Sequence, residues 1–189
     1  EPWGLQKVKD NVHKSMRESF PEIFGDKWEE AGDFYKNSYR SLHLKIELLD
    51  GSLDLINKIA EKNILQFVVS NKIGATLRKE AKAINVDEKF FSLIGASDAN
   101  NDKPSKAPVE LALMGSDIEI GKDEIWFIGD TITDVACALN CGVTPIIYGC
   151  DNEVSKTITK DILSGEDNGS KAVAVYFNHF DLIKLLDSF

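Results

Sequence analysis

The chain has 189 residues, 43% hydrophobic and 28% charged, which suits a globular protein with enough length to bury a core in one or two domains. Its 22 basic against 31 acidic residues give a net charge of -9, which argues against a nucleic-acid or anionic-membrane partner. Phosphorylated metabolites stay open, because a cation and one lysine neutralise them locally. No apolar run is long enough to span a bilayer and no secretory signal is recognised, so a cytoplasmic location is expected.

The first residue is Glu1 rather than methionine, and the expectation is that the protein continues upstream of it. Residues 5–20 and 27–42 carry apolar positions at three- and four-residue spacing, which predicts two amphipathic helices with Pro21 and Gly25 as breakers between them. Trp28, Ala31, Phe34, Tyr35 and Tyr39 form one stripe of the second, read as a packing seam between the helices rather than a ligand pocket. From Gly51 the texture changes to alternating helix and strand. Residues 52–62 read as a helix stopped by Asn63, and residues 64–69 as a buried parallel strand. A helix over 75–84, a strand over 91–95 and a helix over 105–114 follow, with Pro108 tolerable in the first turn of the last. The strand 125–128 leads into a helix over 133–140 that Gly142 ends in a left-handed conformation. Strands over 143–148 and 172–177 flank a helix near 154–163 and a loop over 164–171, and a terminal helix covers 180–186.

This order predicts an α/β fold with a doubly wound, mostly parallel sheet, whose ligands bind beyond the carboxyl ends of the strands. Residues 1–48 would form a small α-helical domain and residues 49–189 the α/β core. Cysteines number three, an odd count without CxxC spacing, and Cys137 and Cys141 share a predicted helix face as buried thiols. His13, His43 and His179 are isolated and carry no assigned role.

Three short stretches carry chemistry. Ser70-Asn71 places a hydroxyl and an amide at the end of an apolar strand, where both can hydrogen-bond phosphate oxygens, although Ser-Asn is also common turn chemistry. Asp102-Lys103-Pro104 sets a lysine on a stiffened loop, with Lys106 as its local competitor. Gly129-Asp130-Thr131-Ile132-Thr133-Asp134 delivers one aspartate to a strand end and a second to the next helical turn. A plain helix start, with Thr133 as cap and Asp134 facing the dipole, explains the second. It leaves Asp130 unexplained, because a carboxylate ending an apolar strand loses solvation unless it is paired or bound to a cation. Two such carboxylates suit a hard cation such as Mg²⁺.

In this order the three stretches resemble the second, third and fourth motifs of the haloacid dehalogenase superfamily, and most of all its phosphoglycolate phosphatase-like branch. The third motif of that family often reads Lys-Pro-x-Pro-x-Pro; here Lys106 stands for the middle proline, which aligns Lys103 with the family lysine. The helical first third resembles the family's α-helical cap. The resemblance implies that Ser70 binds the transferring phosphoryl group with Asn71 in support, and that Lys103 balances its charge. It implies that Asp130 ligates Mg²⁺ and that Asp134 completes the acidic site and orients Lys103. The implied reaction is hydrolysis of a small phosphorylated metabolite through an aspartyl-phosphate.

One departure stands out. The family's first motif, Asp-x-Asp on a strand before the cap, has no counterpart in these residues; Asp10 and Asp26 fall within or between helices. The strand bearing it is expected to be central, and its absence would leave two sheet edges about 9–10 Å apart. The first expectation is therefore a Mg²⁺-dependent phosphatase whose nucleophile-bearing strand lies upstream, this chain alone being inactive. The alternative is a non-catalytic phosphate-binding or interaction module on the same scaffold. Dehalogenation or phosphomutase chemistry is a third, disfavoured for carbon–halogen cleavage by the acidic pair. Substrate identity and oligomeric state are not legible.

Overall fold

Apolar strands alternating with amphipathic helices produce parallel ladders in the computed structural model of this chain, which describes residues 4, 14–41, 46–149, 174–176 and 178–187. The chain divides into two compact units, Glu1–Glu47 and Leu48–Phe189.

In the first unit, α1 (Met16–Phe24) and α2 (Trp28–Ser41) flank a 3₁₀ turn, Gly25–Lys27. Pro21, expected between helices, lies inside α1. It lacks the N–H that would bond the carbonyl one turn back, and the helix runs on until Gly25, whose φ of +52° ends it. The Phe20 ring meets Phe24 and Tyr35 edge-on at 5.0 and 5.7 Å, so part of the expected seam forms. Phe34, counted in the same stripe, is instead 75% exposed. Residues 5–13 of the first expected helix lie outside the described residues.

The second unit opens with α3 (Ser52–Glu61), and Asn63 follows it at a φ of +56°, the left-handed stop that an asparagine tolerates. Strand β1 is Phe67–Ile73, three residues later than expected at its start and four later at its end. Ile64 and Leu65 are half-exposed in the connection after Asn63, so apolar character there does not mark the strand. Ser70 and Asn71 consequently sit within β1, where its pairing with β2 (Ser92–Ala96) slips register between Val69 and Ile73. Between these strands lies α4 (Gly74–Ala83), and after them α5 (Ala107–Leu113), with proline in its first turn. β3 (Trp126–Gly129), α6 (Ile132–Cys141), β4 (Thr144–Tyr148), β5 (Ala174–Tyr176) and α7 (His179–Asp187) complete the order. Gly142 ends α6 at a φ of +71°. The expected helix near 154–163 and loop over 164–171 lie outside the described residues.

Two parallel sheets result among the described residues, β1-β2 and β3-β4-β5. One helical layer serves both. Val109 and Leu113 of α5 and Cys137, Ala138 and Cys141 of α6 receive Phe67 and Val69 from β1, together with Ile125 and Phe127 at β3. On a second cluster, Leu55 of α3 and Leu182 and Leu186 of α7 pack with Ile146, Tyr176 and Trp126. Phe127 and Trp126 thus face opposite sides, as alternation along a strand requires. Helices cover both faces, which is the doubly wound arrangement. No helix among the described residues is long and apolar enough to cross a membrane.

Candidate functional site

The strand-to-helix junction after β3 is built around a capping box. Thr131, not the expected Thr133, caps α6: its Oγ1 accepts from the Asp134 N–H, while its own N–H and hydroxyl donate to Asp134 Oδ2 at 3.1 and 2.7 Å. Thr133 is buried in the first turn. The cap folds the Asp134 carboxylate back over the strand end. Gly129 makes room for it, since a Cβ there would lie well inside van der Waals contact with Asp134 Cβ and Cγ.

Lys103 Nζ donates to Asp134 Oδ1 at 2.7 Å, and the two side chains are only 11% and 10% exposed. The ammonium also lies 5.8 Å from the Phe127 ring centroid, within cation–π range. Burial by itself would raise the Asp134 carboxyl, but the Lys103 charge and hydrogen bond and the Thr131 donors together hold it below the usual aspartate range. Lys106, the competitor in sequence, is exposed and pairs with Glu110 of its own helix.

The loop bearing Lys103 is pinned on every side. Asn71 Nδ2 donates to the Lys103 carbonyl at 3.1 Å, and Asn71 Oδ1 accepts from the Lys103 N–H at 3.0 Å. The Pro104 carbonyl accepts from Asn140 Nδ2 at 2.9 Å, and the Ser105 carbonyl from the Cys137 thiol at 3.3 Å. Asp102, named in its stretch but given no role from sequence, is buried, and its Oδ1 accepts from the Ser97 N–H at 2.8 Å. Behind it a bidentate Arg78–Asp98 pair, at 2.6 and 3.1 Å, ties α4 to the loop after β2.

Asn71, Lys103 and Asp134 are therefore brought together by direct contact. Ser70 adjoins them through the chain; its Oγ accepts from the Lys72 N–H at 3.1 Å, which leaves its own proton to donate elsewhere. Asp130 is exposed at the β3–α6 junction, so the argument that burial would force it to find a partner does not hold: water solvates it. Both Asp134 oxygens are engaged, and among the described residues no three His, Cys, Asp or Glu side chains gather into a metal site. One accessible carboxylate, Asp130, remains. That donor set suits Mg²⁺, which takes one or two carboxylates and completes its shell with water and phosphate oxygens.

Parallel strands covered by helices, with a buried lysine–aspartate pair at the β3–α6 junction, define an α/β protein with its candidate site at the strand ends. The chain belongs to the haloacid dehalogenase-like hydrolase family, whose model matches residues 1–148. Its relatives include pyrophosphatase PpaX of Halalkalibacterium halodurans, 24% identical over 148 residues, covering 78% of this chain and 68% of that protein. Phosphoglycolate phosphatase of Photorhabdus laumondii is 24% identical over 149 residues, 78% of this chain but only 57% of that enzyme's length. Among solved structures, a HAD-superfamily hydrolase from Ehrlichia chaffeensis superposes with a TM-score of 0.62 at 28% identity, over 100% of this chain and 80% of the other.

Proposed function

We propose that the intact protein is a Mg²⁺-dependent phosphatase acting on a small phosphorylated metabolite, with the nucleophilic aspartate on a strand upstream of this chain. The observation that carries it is the buried Lys103–Asp134 pair at the strand ends, one ammonium fixed beside a hydroxyl-bearing strand. Relatives named pyrophosphatase and phosphoglycolate phosphatase support the same class. Residues 1–48 would act as a cap, and the negative charge of the chain fits neither a nucleic-acid nor a membrane partner and agrees with a cytoplasmic setting.

Each residue then has one task. The Ser70 hydroxyl donates to a phosphoryl oxygen. Lys103, with two N–H groups beyond the one given to Asp134, neutralises charge on the phosphoryl group and the incoming carboxylate. Asp134 holds that ammonium in place by its hydrogen bond. Asp130 would hold Mg²⁺, which when bound supplies further neutralisation of the phosphoryl oxygens. The aspartate attacks phosphorus and expels the leaving group, and water then hydrolyses the aspartyl-phosphate to regenerate the carboxylate.

Asp130→Asn in the intact protein should abolish Mg²⁺-dependent hydrolysis of a generic aryl phosphate while circular dichroism and the thermal midpoint stay near wild type. Turnover close to wild type in that variant refutes the assignment. The 189-residue chain alone should show no turnover. Phosphate binding by an intact protein that never turns over would favour the non-catalytic module instead.

A further inference from the structure

We propose that Asn71 is a positioning residue for Lys103 rather than a ligand of the phosphoryl group; the proposal rests on the phosphatase reading above. Ser70 and Asn71 are neighbours on β1, in the stretch where its pairing with β2 slips register. Asn71 meets the Lys103 loop directly. There its amide spans a single residue, accepting from the N–H of Lys103 and donating to the carbonyl of Lys103 at 3.0 and 3.1 Å.

One planar group bonded to both backbone atoms of residue 103 fixes the position of its Cα and the direction in which its side chain leaves. The next two carbonyls are held from α6, by Asn140 and Cys137, so the three consecutive residues 103–105 are pinned to β1 and α6. Asp134 of the same helix α6 holds the far end of the lysine. Lys103 is thus fixed at both ends, by Asn71 at its backbone and by Asp134 at its ammonium, and the flexible four-carbon stem between has little freedom left. Few side chains replace Asn71. An aspartate keeps the acceptor for the Lys103 N–H but sets an oxygen against the Lys103 carbonyl, and an alanine supplies neither bond. The adjacent pair Ser70-Asn71 accordingly divides its work: the serine keeps a hydroxyl proton to donate and the asparagine holds the lysine.

A double-mutant cycle in the intact protein tests this, using Asn71→Ala, Lys103→Met and the double variant, with kcat and KM on an aryl phosphate and the Kd of inorganic phosphate as readouts. Loss of two hydrogen bonds with displacement of the ammonium should lower kcat about tenfold or more in Asn71→Ala, with a smaller change in KM. Added to Lys103→Met, the same change should alter neither kcat nor phosphate affinity beyond about twofold, because a residue acting through the lysine has nothing left to position. An equal loss in both backgrounds overturns the proposal and makes Asn71 a direct ligand. Wild-type kcat in Asn71→Ala overturns it as well. Lys103→Met at wild-type rate sinks the phosphatase reading itself. Where Lys103→Met leaves no measurable rate, phosphate affinity closes the cycle. Should Asn71→Ala fail to fold, Asn71→Asp, which keeps one of the two bonds, takes its place with the same expectation of non-additivity.

Discussion

Asp134 shows how a single residue can serve both a helix start and a chemical site. Its Oδ2 completes the capping box and its Oδ1 receives Lys103, so a cap that any helix could use also anchors the buried ammonium. A carboxyl held below its ordinary value stabilises the fold above the unfolded pKa of about 3.9, and that contribution is lost as pH falls through the folded value. Asp134→Asn should therefore cost about 2–4 kcal/mol near neutral pH, where it strands the Lys103 ammonium. Against wild type, the deficit should shrink below about pH 4, as urea titrations at pH 7 and pH 3 would measure; an equal deficit at both would mean that the ion pair contributes nothing. Spacing within a few residues made Asp130 and Asp134 visible as candidates. It could not show that the Lys103 loop is held by Asn71, which is 32 residues away, nor that Asp102 is buried, because both depend on how separate loops meet. Thr133 was the natural cap only while Asp134 was treated as a dipole partner; as the third residue of a capping box, it calls for a cap at Thr131.

At the scale of elements, hydrophobic periodicity located nearly every helix and strand among the described residues, and the shifts have local causes. β1 was placed early because Ile64 and Leu65 look like strand, yet the left-handed turn at Asn63 leaves them half-exposed in a connection. Pro21 looked like a breaker, but a helix with a favourable C-terminal glycine absorbs one missing N–H. Two glycines flank α6 for different reasons. Gly142 ends it at positive φ with open space around the position of a Cβ, whereas Gly129 has no space for one beside Asp134. Gly142→Ala should thus lose only backbone strain, about 1 kcal/mol. Gly129→Ala must push Asp134 from its cap and from Lys103, and should lose about 3 kcal/mol or more together with activity in the intact protein. Equal midpoints for the two variants in chemical denaturation would contradict this account of the junction.

At the scale of the molecule, the main feature is that two parallel sheets share one helical layer without a ladder joining them among the described residues. Phe67 and Val69 from β1 and Phe127 from β3 reach the same α5–α6 surface, so packing holds the sheets to a common core. β4 is paired on both sides, by β3 and β5, whereas among the described residues β1 bonds only β2 and β3 bonds only β4. The exposure of Ile128 on β3, at 40%, is high for an apolar residue of a parallel strand. A backbone N–H that lacks a ladder partner exchanges with solvent through small openings, while one paired between two strands waits for larger ones. In hydrogen–deuterium exchange the 189-residue chain should therefore protect amides of β4 most, with outward-facing amides of β1 and β3 exchanging sooner. The proposed upstream strand would pair between β1 and β3, each of which has one ladder partner among the described residues, and there it would bring its aspartate beside Ser70, Lys103 and Asp130. Comparison of the intact protein with the 189-residue chain should show protection rising at β1 and β3 together and changing little at β4. Protection that rises at neither strand, or at only one, would place the added segment elsewhere and leave the nucleophile without a route to the site.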